Sequence, residues 1–356
     1  MKNTVFCAIS VVLLALTGCS AEIGDDQGAE SSAPKALLGA DLVVNGTLQT
    51  LDGEQVYDNI SVINGGTLQV TDYDTTGTTG TLLLRARVSV TVDATSSIVA
   101  NAAGFRGGLG GGSPTAGEGL GGGGAAPNDG GGGGGHAGVG ANGTLDNNCG
   151  VTEGLGGISY GSADVTDVTM GSGGGGGKGG GANGGDGGGA IVISAPTVTI
   201  AGNVSSNGGP GVVGSGDSSG GGSGGSIIIV ANSVDCTGTL SAVGANGGNT
   251  DDDGGGGSGG WVKVSAQNTL NACTVQTGGG TTGSCGTQGG SGQNPTDTDG
   301  LAGSYCGNST TEAWEGCDDG GTADSDGCNS QCLIETGDPA PCEFSTQCVS
   351  NICTGS

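Results

Sequence analysis

The chain is poor in most of what builds an ordinary globular core. Aromatic residues make up 3% of its 356 positions, which excludes a core organised around large rings. Seven Lys and Arg stand against 34 Asp and Glu, for a formal net charge of −27. Nucleic acid is therefore not an expected partner, since phosphate contacts need clustered Lys and Arg. The same acidity keeps a chain soluble and suits divalent cations or basic surfaces as partners. There are only eight Pro and no strict Gly-X-Y period, so 88 Gly do not make a collagen helix. No segment beyond the N-terminus has the ~18 consecutive apolar residues of a membrane helix.

What is present begins with an export signal. Met1-Lys2-Asn3 is followed by an apolar run over 5–16 and then Leu16-Thr17-Gly18-Cys19. A short positive start and about a dozen apolar residues suit a secretory signal and are too short to span a bilayer. The last four residues resemble the bacterial lipobox. That resemblance implies diacylglycerol attachment at Cys19, cleavage after Gly18 and acylation, palmitate included, of the new amine. An ordinary signal peptide that happens to end in Gly-Cys is the alternative. Each buried lipid CH₂ contributes roughly 0.8 kcal/mol, so several chains hold firmly. Ser20 and Ala21 lack the Asp that marks inner-membrane retention in enterobacterial lipoproteins, so the expected site is the outer membrane or cell surface. Residues 19–39 are polar and irregular, with Asp25, Asp26, Ser31, Ser32 and Pro34, and read as a lipid anchor and tether.

The expected fold is all-β, a parallel β-helix or solenoid with polyglycine-rich insertions. Four segments share one layout of short apolar run, break, second run and Gly-rich chain: 82–100, 191–205, 227–242 and 261–276. Three of them open on Ile191-Val192-Ile193, Ile227-Ile228-Ile229 and Trp261-Val262-Lys263-Val264. Their fixed spacing signals stacked repeats, and short β-branched runs bounded by Gly are strand signals. Upstream, Asn45-Gly46-Thr47-Leu48 and Asn64-Gly65-Gly66-Thr67-Leu68 repeat one strand–turn–strand phrase. On these phrases residues 40–280 resemble the glycine-rich, β-solenoid-like surface proteins of environmental bacteria, a likeness of architecture that implies no activity.

The Gly runs, such as 130–135 and 173–177, have two readings. As linkers they lose too much entropy to pack. As extended three-residue-per-turn helices, without side chains, they lie close together and pair through the backbone. The second is favoured because the runs alternate with recurring strands. In this they are similar to the glycine-rich domains of certain receptor kinases and to mycobacterial PGRS proteins.

From Cys306 the composition changes. Cys306-Gly307-Asn308, Glu312, Glu315, Cys317-Asp318-Asp319-Gly320, Asp326-Gly327-Cys328 and Cys332 resemble the Myxococcus cysteine-rich repeat. Ser309 and Gly321 depart from its usual Gly and Asn. In an exported chain these four Cys imply disulfides, with zinc as the rival. Cys342, Cys348 and Cys353 extend the stapled region, and Cys236 and Cys273 lie at similar points of successive repeats, where they can bridge adjacent coils. Asp318, Asp319, Asp324 and Asp326 offer hard oxygens to Ca²⁺, but without the EF-hand order. Asp251-Asp252-Asp253 is a weaker Ca²⁺ candidate and reads as a loop tip.

No catalytic constellation emerges. The single His136 follows six glycines, Arg85 and Arg87 alternate on what reads as a solvent face, and Asp93 and Asp235 give no pair of facing carboxylates. H-E-x-x-H and P-loop patterns are missing, and G-x-G-x-x-G means little at this Gly content. The expected layout is 1–18 signal, 19–39 anchor and tether, 40–104 first coils, 105–189 glycine-rich region and 190–283 solenoid repeats. Then follow a linker at 284–305, the cysteine-rich repeat at 306–335 and a Cys-containing tail at 336–356. The expected function is a non-enzymatic, structural or adhesive lipoprotein held to a membrane by lipid. The alternatives are a binding module on a solenoid stalk, recognising an extracellular protein or glycan, and a carbohydrate-active β-helix enzyme.

Overall fold

Runs of β-branched residues stack here as strands because each coil covers its neighbour's apolar edge. The computed structural model describes residues 40–75, 79–145, 148–250, 252–283, 288–293 and 296–297. Among them there is no helix, and the dominant elements are two parallel sheets. The first coils are β1 (Leu42–Asn45) with β2 (Leu48–Leu51), β3 (Gly53–Ile63) with β4 (Thr67–Val70), and β5 (Thr81–Val92) with β6 (Ser97–Val99). A small antiparallel hairpin, β7 (Thr144–Leu145) and β8 (Asn148–Thr152), interrupts the series. The coils resume as β9 (Ala190–Ile200) with β10 (Asn203–Ser205), β11 (Ser226–Cys236) with β12 (Thr239–Ser241), and β13 (Trp261–Asn271) with β14 (Thr274–Gln276). Strand β15 (Thr296–Asp297) adds to the edge.

The long strands form one sheet in the order β1-β3-β5-β9-β11-β13-β15, and the short ones form the other in the order β14-β12-β10-β6-β4-β2. In-register stacking turns the apolar pattern into continuous columns. Leu82 pairs with Ile191, Ile191 with Ile227, and Ile227 with Val262, and all four are fully buried. Across the core, Leu68, Ile98, Val204 and Leu240 make the matching column of the short sheet. Burying one such side chain contributes roughly 1.5–3 kcal/mol.

The turn phrase is stacked too. Asn64 adopts the left-handed region at φ 55° and Gly65 follows at φ 79°. Asn64 donates its side-chain N–H to Asn45 Oδ1 at 3.1 Å and its backbone N–H to Asp93 Oδ2 at 2.6 Å. Successive corners are thereby laddered by side chains that favour such turns.

The sheets do not match the sequence reading everywhere. Arg85 is not on a solvent face: it is 2% exposed and ion-paired to Glu54 on the neighbouring strand. Arg87 is about a quarter exposed and pairs with Asp58. Arg85 pairs in register with Val56 and Ser194, on the face away from the core residues Leu84 and Ala86, and the register of β5 shifts only after it.

The Gly runs are packed. Run 171–177 donates from Gly171, Gly174 and Gly177 to Gly188, Gly185 and Ala182, at intervals of three residues. On another side its carbonyls at Gly171, Gly174 and Gly177 accept from Phe105, Gly108 and Gly111. Gly173 and Gly176 donate to Glu118 and Thr115, and accept from Gly123 and Ala126. Gly175 donates to Gly132 and accepts from Gly220. A three-residue period with a different neighbour on every side is a bundle of extended, threefold polyglycine helices. Cβ atoms at Gly173, Gly174, Gly175, Gly176 and Gly177 would fall on the carbonyl oxygens of Arg106, Gly220, Gly124, Leu109 and Ser218. Glycine is required here because the backbones touch. The bundle also draws on the Gly-rich chain after β10, β12 and β14, as Gly134 to Gly221, Gly221 to Gly255 and Gly280 to Gly257 show. Every coil from β5 onward thus sends an excursion into one shared bundle.

Candidate functional site

Packing of this kind leaves side chains on the outside of the bundle, at its foot and at the tips of its excursions. On the outside, Leu109, Leu120, Leu155 and Ile158 are 63%, 76%, 64% and 66% exposed. Leu155 and Ile158 are three residues apart, one turn of a threefold helix, so they share a side. Their run neighbours the one that starts at Leu120, since Gly124 donates to the Leu155 carbonyl at 2.7 Å.

At the foot, where the bundle meets β11 and β13, lies a buried polar cluster. His136 is fully buried. Its Nδ1 lies 2.7 Å from the Gly224 carbonyl, which only accepts, so the proton is on Nδ1. Nε2 then accepts from Thr169 Oγ1 at 2.9 Å. Burial is the main reason that the imidazole pKa is lowered to about 4, so the ring is neutral. Tyr160 packs on it at 4.7 Å and shares a 2.9 Å hydrogen bond with Ser172 Oγ, and burial raises its hydroxyl pKa. Lys263 donates to the carbonyls of Asp164 and Asp167 at 2.7 and 2.6 Å, and lies 5.3 Å from the Trp261 ring centre. Burial lowers its pKa to about 8. Trp261 Nε1 donates to the Tyr160 carbonyl at 3.1 Å, and Ser226 Oγ to the Thr169 carbonyl. His136, Lys263 and Trp261 are thus committed to holding segment 158–170 against the strand ends.

A groove of about 500 Å³ lies beside this bundle, lined by Tyr73, Arg106, Asp72, Asp74, Asn183 and Asp186 among others. Asp186 accepts from the Gly107 N–H at 2.7 Å, while desolvation, helped by Asp72, raises its pKa. Tyr73 stacks edge-on against Phe105 with ring centres 5.2 Å apart.

At the tips the structure corrects the reading of Asp251-Asp252-Asp253 as a plain loop tip. Asp252 is 8% and Asp253 0% exposed. Asp252 sits in a parallel bridge with Asp217, and carboxylate oxygens of Asp129, Asp217 and Asp252 all lie within 4.8 Å of one another. Asp129 and Asp217 had no signal of their own in sequence beyond marking breaks between Gly runs, at Pro127-Asn128-Asp129 and Gly216-Asp217-Ser218.

Asp93 and Asp235 do not converge on a common site. Asp93 serves a corner, and Asp235 accepts from Asn271 at 2.8 Å. Cys236 and Cys273 form a disulfide with a Cα–Cα distance of 4.7 Å, joining adjacent coils. Cys19, the cysteines Cys306, Cys317, Cys328, Cys332, Cys342, Cys348 and Cys353, and the acidic set Asp318, Asp319, Asp324 and Asp326 lie outside the described residues.

No protein-family model, no curated protein and no solved structure matches the chain. Its function has to be argued from its own residues.

Proposed function

We propose that the protein is a lipid-anchored cell-surface scaffold with a structural or adhesive role, tethered through Cys19. The observation that carries this reading is the bundle itself. Its Gly runs pack through backbone, with only small side chains such as Ser172, Ser223 and Ser258 buried among them, and its large apolar side chains Leu109, Leu120, Leu155 and Ile158 stand outside. Exposed large apolar side chains on neighbouring runs are what an adhesive surface needs. The Met1–Cys19 pattern supports export and lipidation, and the Cys236–Cys273 disulfide suits an oxidising compartment.

The test joins anchor and face. Cys19→Ser is expected to move the protein from the detergent phase to the aqueous phase and to release it from cells. Leu120→Asp with Ile158→Asp is expected to leave the protein anchored while cells lose attachment to surfaces. Detergent partitioning that survives Cys19→Ser would remove the anchor, and attachment unchanged in the Asp variant would remove the adhesive face.

A second reading is favoured by the groove at Tyr73. An aromatic ring beside Arg106, Asn183 and Asp186 is the mixture that binds a sugar, with the solenoid as a stalk. Glycan-array binding lost in Tyr73→Ala would move the function there. Binding lost instead on deletion of residues 306–356 would place recognition in the cysteine-rich end.

A further inference from the structure

Three carboxylates meet where three successive glycine excursions turn back. Asp129 lies in the excursion between β6 and β9, Asp217 in that between β10 and β11, and Asp252 in that between β12 and β13. The neighbouring backbone holds them in place. Ser218 donates its N–H to the Asp252 carbonyl at 3.1 Å, Lys178 donates its N–H to the Asp129 carbonyl at 3.4 Å, and the Asp217–Asp252 bridge fixes two of the tips side by side. We propose that Asp129, Asp217 and Asp252 bind one Ca²⁺, which pins the tips of the three excursions together.

The charge balance points to a cation. Glu153 adds a fourth carboxylate whose field reaches Asp217, and Lys178 is the cation that opposes them there. Lys178 is exposed, whereas Asp129 and Asp252 are buried. The decisive atom is Asp252 Oδ1. It is sealed from solvent in a side chain only 8% exposed, and it receives no hydrogen bond. A buried, charged oxygen without a donor is costly, and a metal ion is one of the few partners that satisfies it.

The chemistry of the donor set selects the ion. Three carboxylates supply hard oxygens only, with no His or Cys, which disfavours zinc and copper. Oxygens within 4.8 Å of one another fit one shell at the about 2.3–2.6 Å Ca–O distance. Carboxylates carried on three separate backbone tips tolerate the irregular, expandable coordination of Ca²⁺ better than the strict octahedron of Mg²⁺.

The test uses the full chain with its disulfides intact, stripped with EGTA and titrated with CaCl₂ by equilibrium dialysis. The wild type is compared with Asp217→Asn and with the double variant Asp217→Asn/Asp252→Asn. These replacements preserve shape and remove repulsion, and Asp217 is only partly buried, so the single variant keeps the test open should the double one fail to fold. The double variant is expected to bind one Ca²⁺ fewer than wild type, and Asp217→Asn to weaken that site at least tenfold. Any Ca²⁺ held by residues 306–335 is unaffected by these changes and appears equally in all three chains. Ca²⁺ should also raise the thermal midpoint of the wild type more than that of either variant. Identical stoichiometry and affinity in the three chains would overturn the proposal. So would a wild type stabilised by acidification and not by Ca²⁺, since the trio would then hold a proton instead. Displacement of Ca²⁺ by an equal concentration of Mg²⁺ would overturn the choice of ion.

Discussion

Gly175 donates its backbone N–H to the carbonyl of Gly132 at 2.7 Å, and a Cβ on Gly175 would fall on the carbonyl oxygen of Gly124. The two constraints act together, because the backbones that exchange hydrogen bonds must come closer than any side chain permits. Gly175→Ala should therefore destabilise the protein by about 1–3 kcal/mol, as other overpacking does. Gly112 is the control, since a Cβ there meets nothing within 4 Å. Gly112→Ala should change stability by no more than about 0.5 kcal/mol. Matching chemical denaturation curves for the two variants would contradict the packed bundle.

The disulfide between Cys236 and Cys273 spans a sequence separation of 37 residues. On the chain-entropy model, a loop of that size contributes about 3–4 kcal/mol by restricting the unfolded chain. It also fastens the outermost full coil, whose strand β13 is exposed towards its end, with Leu270 at 69%. Cys236→Ala with Cys273→Ala should lower the thermal midpoint and, in hydrogen exchange, open β13 and β14 before the inner coils. Uniform loss of protection along the whole stack would show that the bond does not act locally.

Much of this fold is legible because its signals are local. Ile191-Val192-Ile193 and Ile227-Ile228-Ile229 announce strands from their own composition, and their spacing announces the stack. Asn64-Gly65 announces its turn for the same reason. The neighbours of a Gly run are another matter. Nothing near Gly175 says that Gly132, Gly124 and Gly220 surround it, because a chain without side chains carries no complementary pattern. The same holds for the acidic trio. Asp129, Asp217 and Asp252 meet only because three excursions of different length turn at the same level, and that depends on the packing of the whole bundle. Arg85 misleads for a third reason: alternation correctly puts it on the face of β5 away from Leu84 and Ala86, but that face is covered at this position, so Arg85 is buried and paired with Glu54.

The corner acid Asp93 gives a pH dependence at the acid end. Its pKa is lowered to about 2, chiefly by the Asn64 N–H and then by the Ser96 and Thr95 side chains. A carboxyl whose folded pKa is depressed stabilises fully above its unfolded value near 3.8 and loses that contribution as the pH falls towards 2. Asp93→Asn should flatten stability between pH 4 and 2 and loosen the corner between β3 and β4. An unchanged acid slope in urea titrations of the variant would mean that other carboxylates carry it.

His136 sets a second, higher window. The unfolded imidazole takes up a proton near 6.5, whereas the buried one does so only near 4, mainly because burial opposes the charge. Between those values the unfolded chain binds more protons, so the contribution of His136 should be constant above about pH 6.5 and decline as the pH falls to about 4. The full shift corresponds to about 3 kcal/mol, an upper figure because solvent entry relaxes such sites. His136 holds Thr169 and the Gly224 carbonyl, so its protonation should loosen segment 158–170 and leave the long sheet intact. His136→Gln, which keeps a donor and an acceptor without titrating, should abolish the decline between pH 6.5 and 4 even if it lowers stability at neutral pH. The measurement is urea denaturation at half-unit pH steps for both chains, each carrying Trp314→Phe so that fluorescence of Trp261 reports the foot of the bundle. Parallel profiles for wild type and variant across that window would rule out His136 as the titrating group.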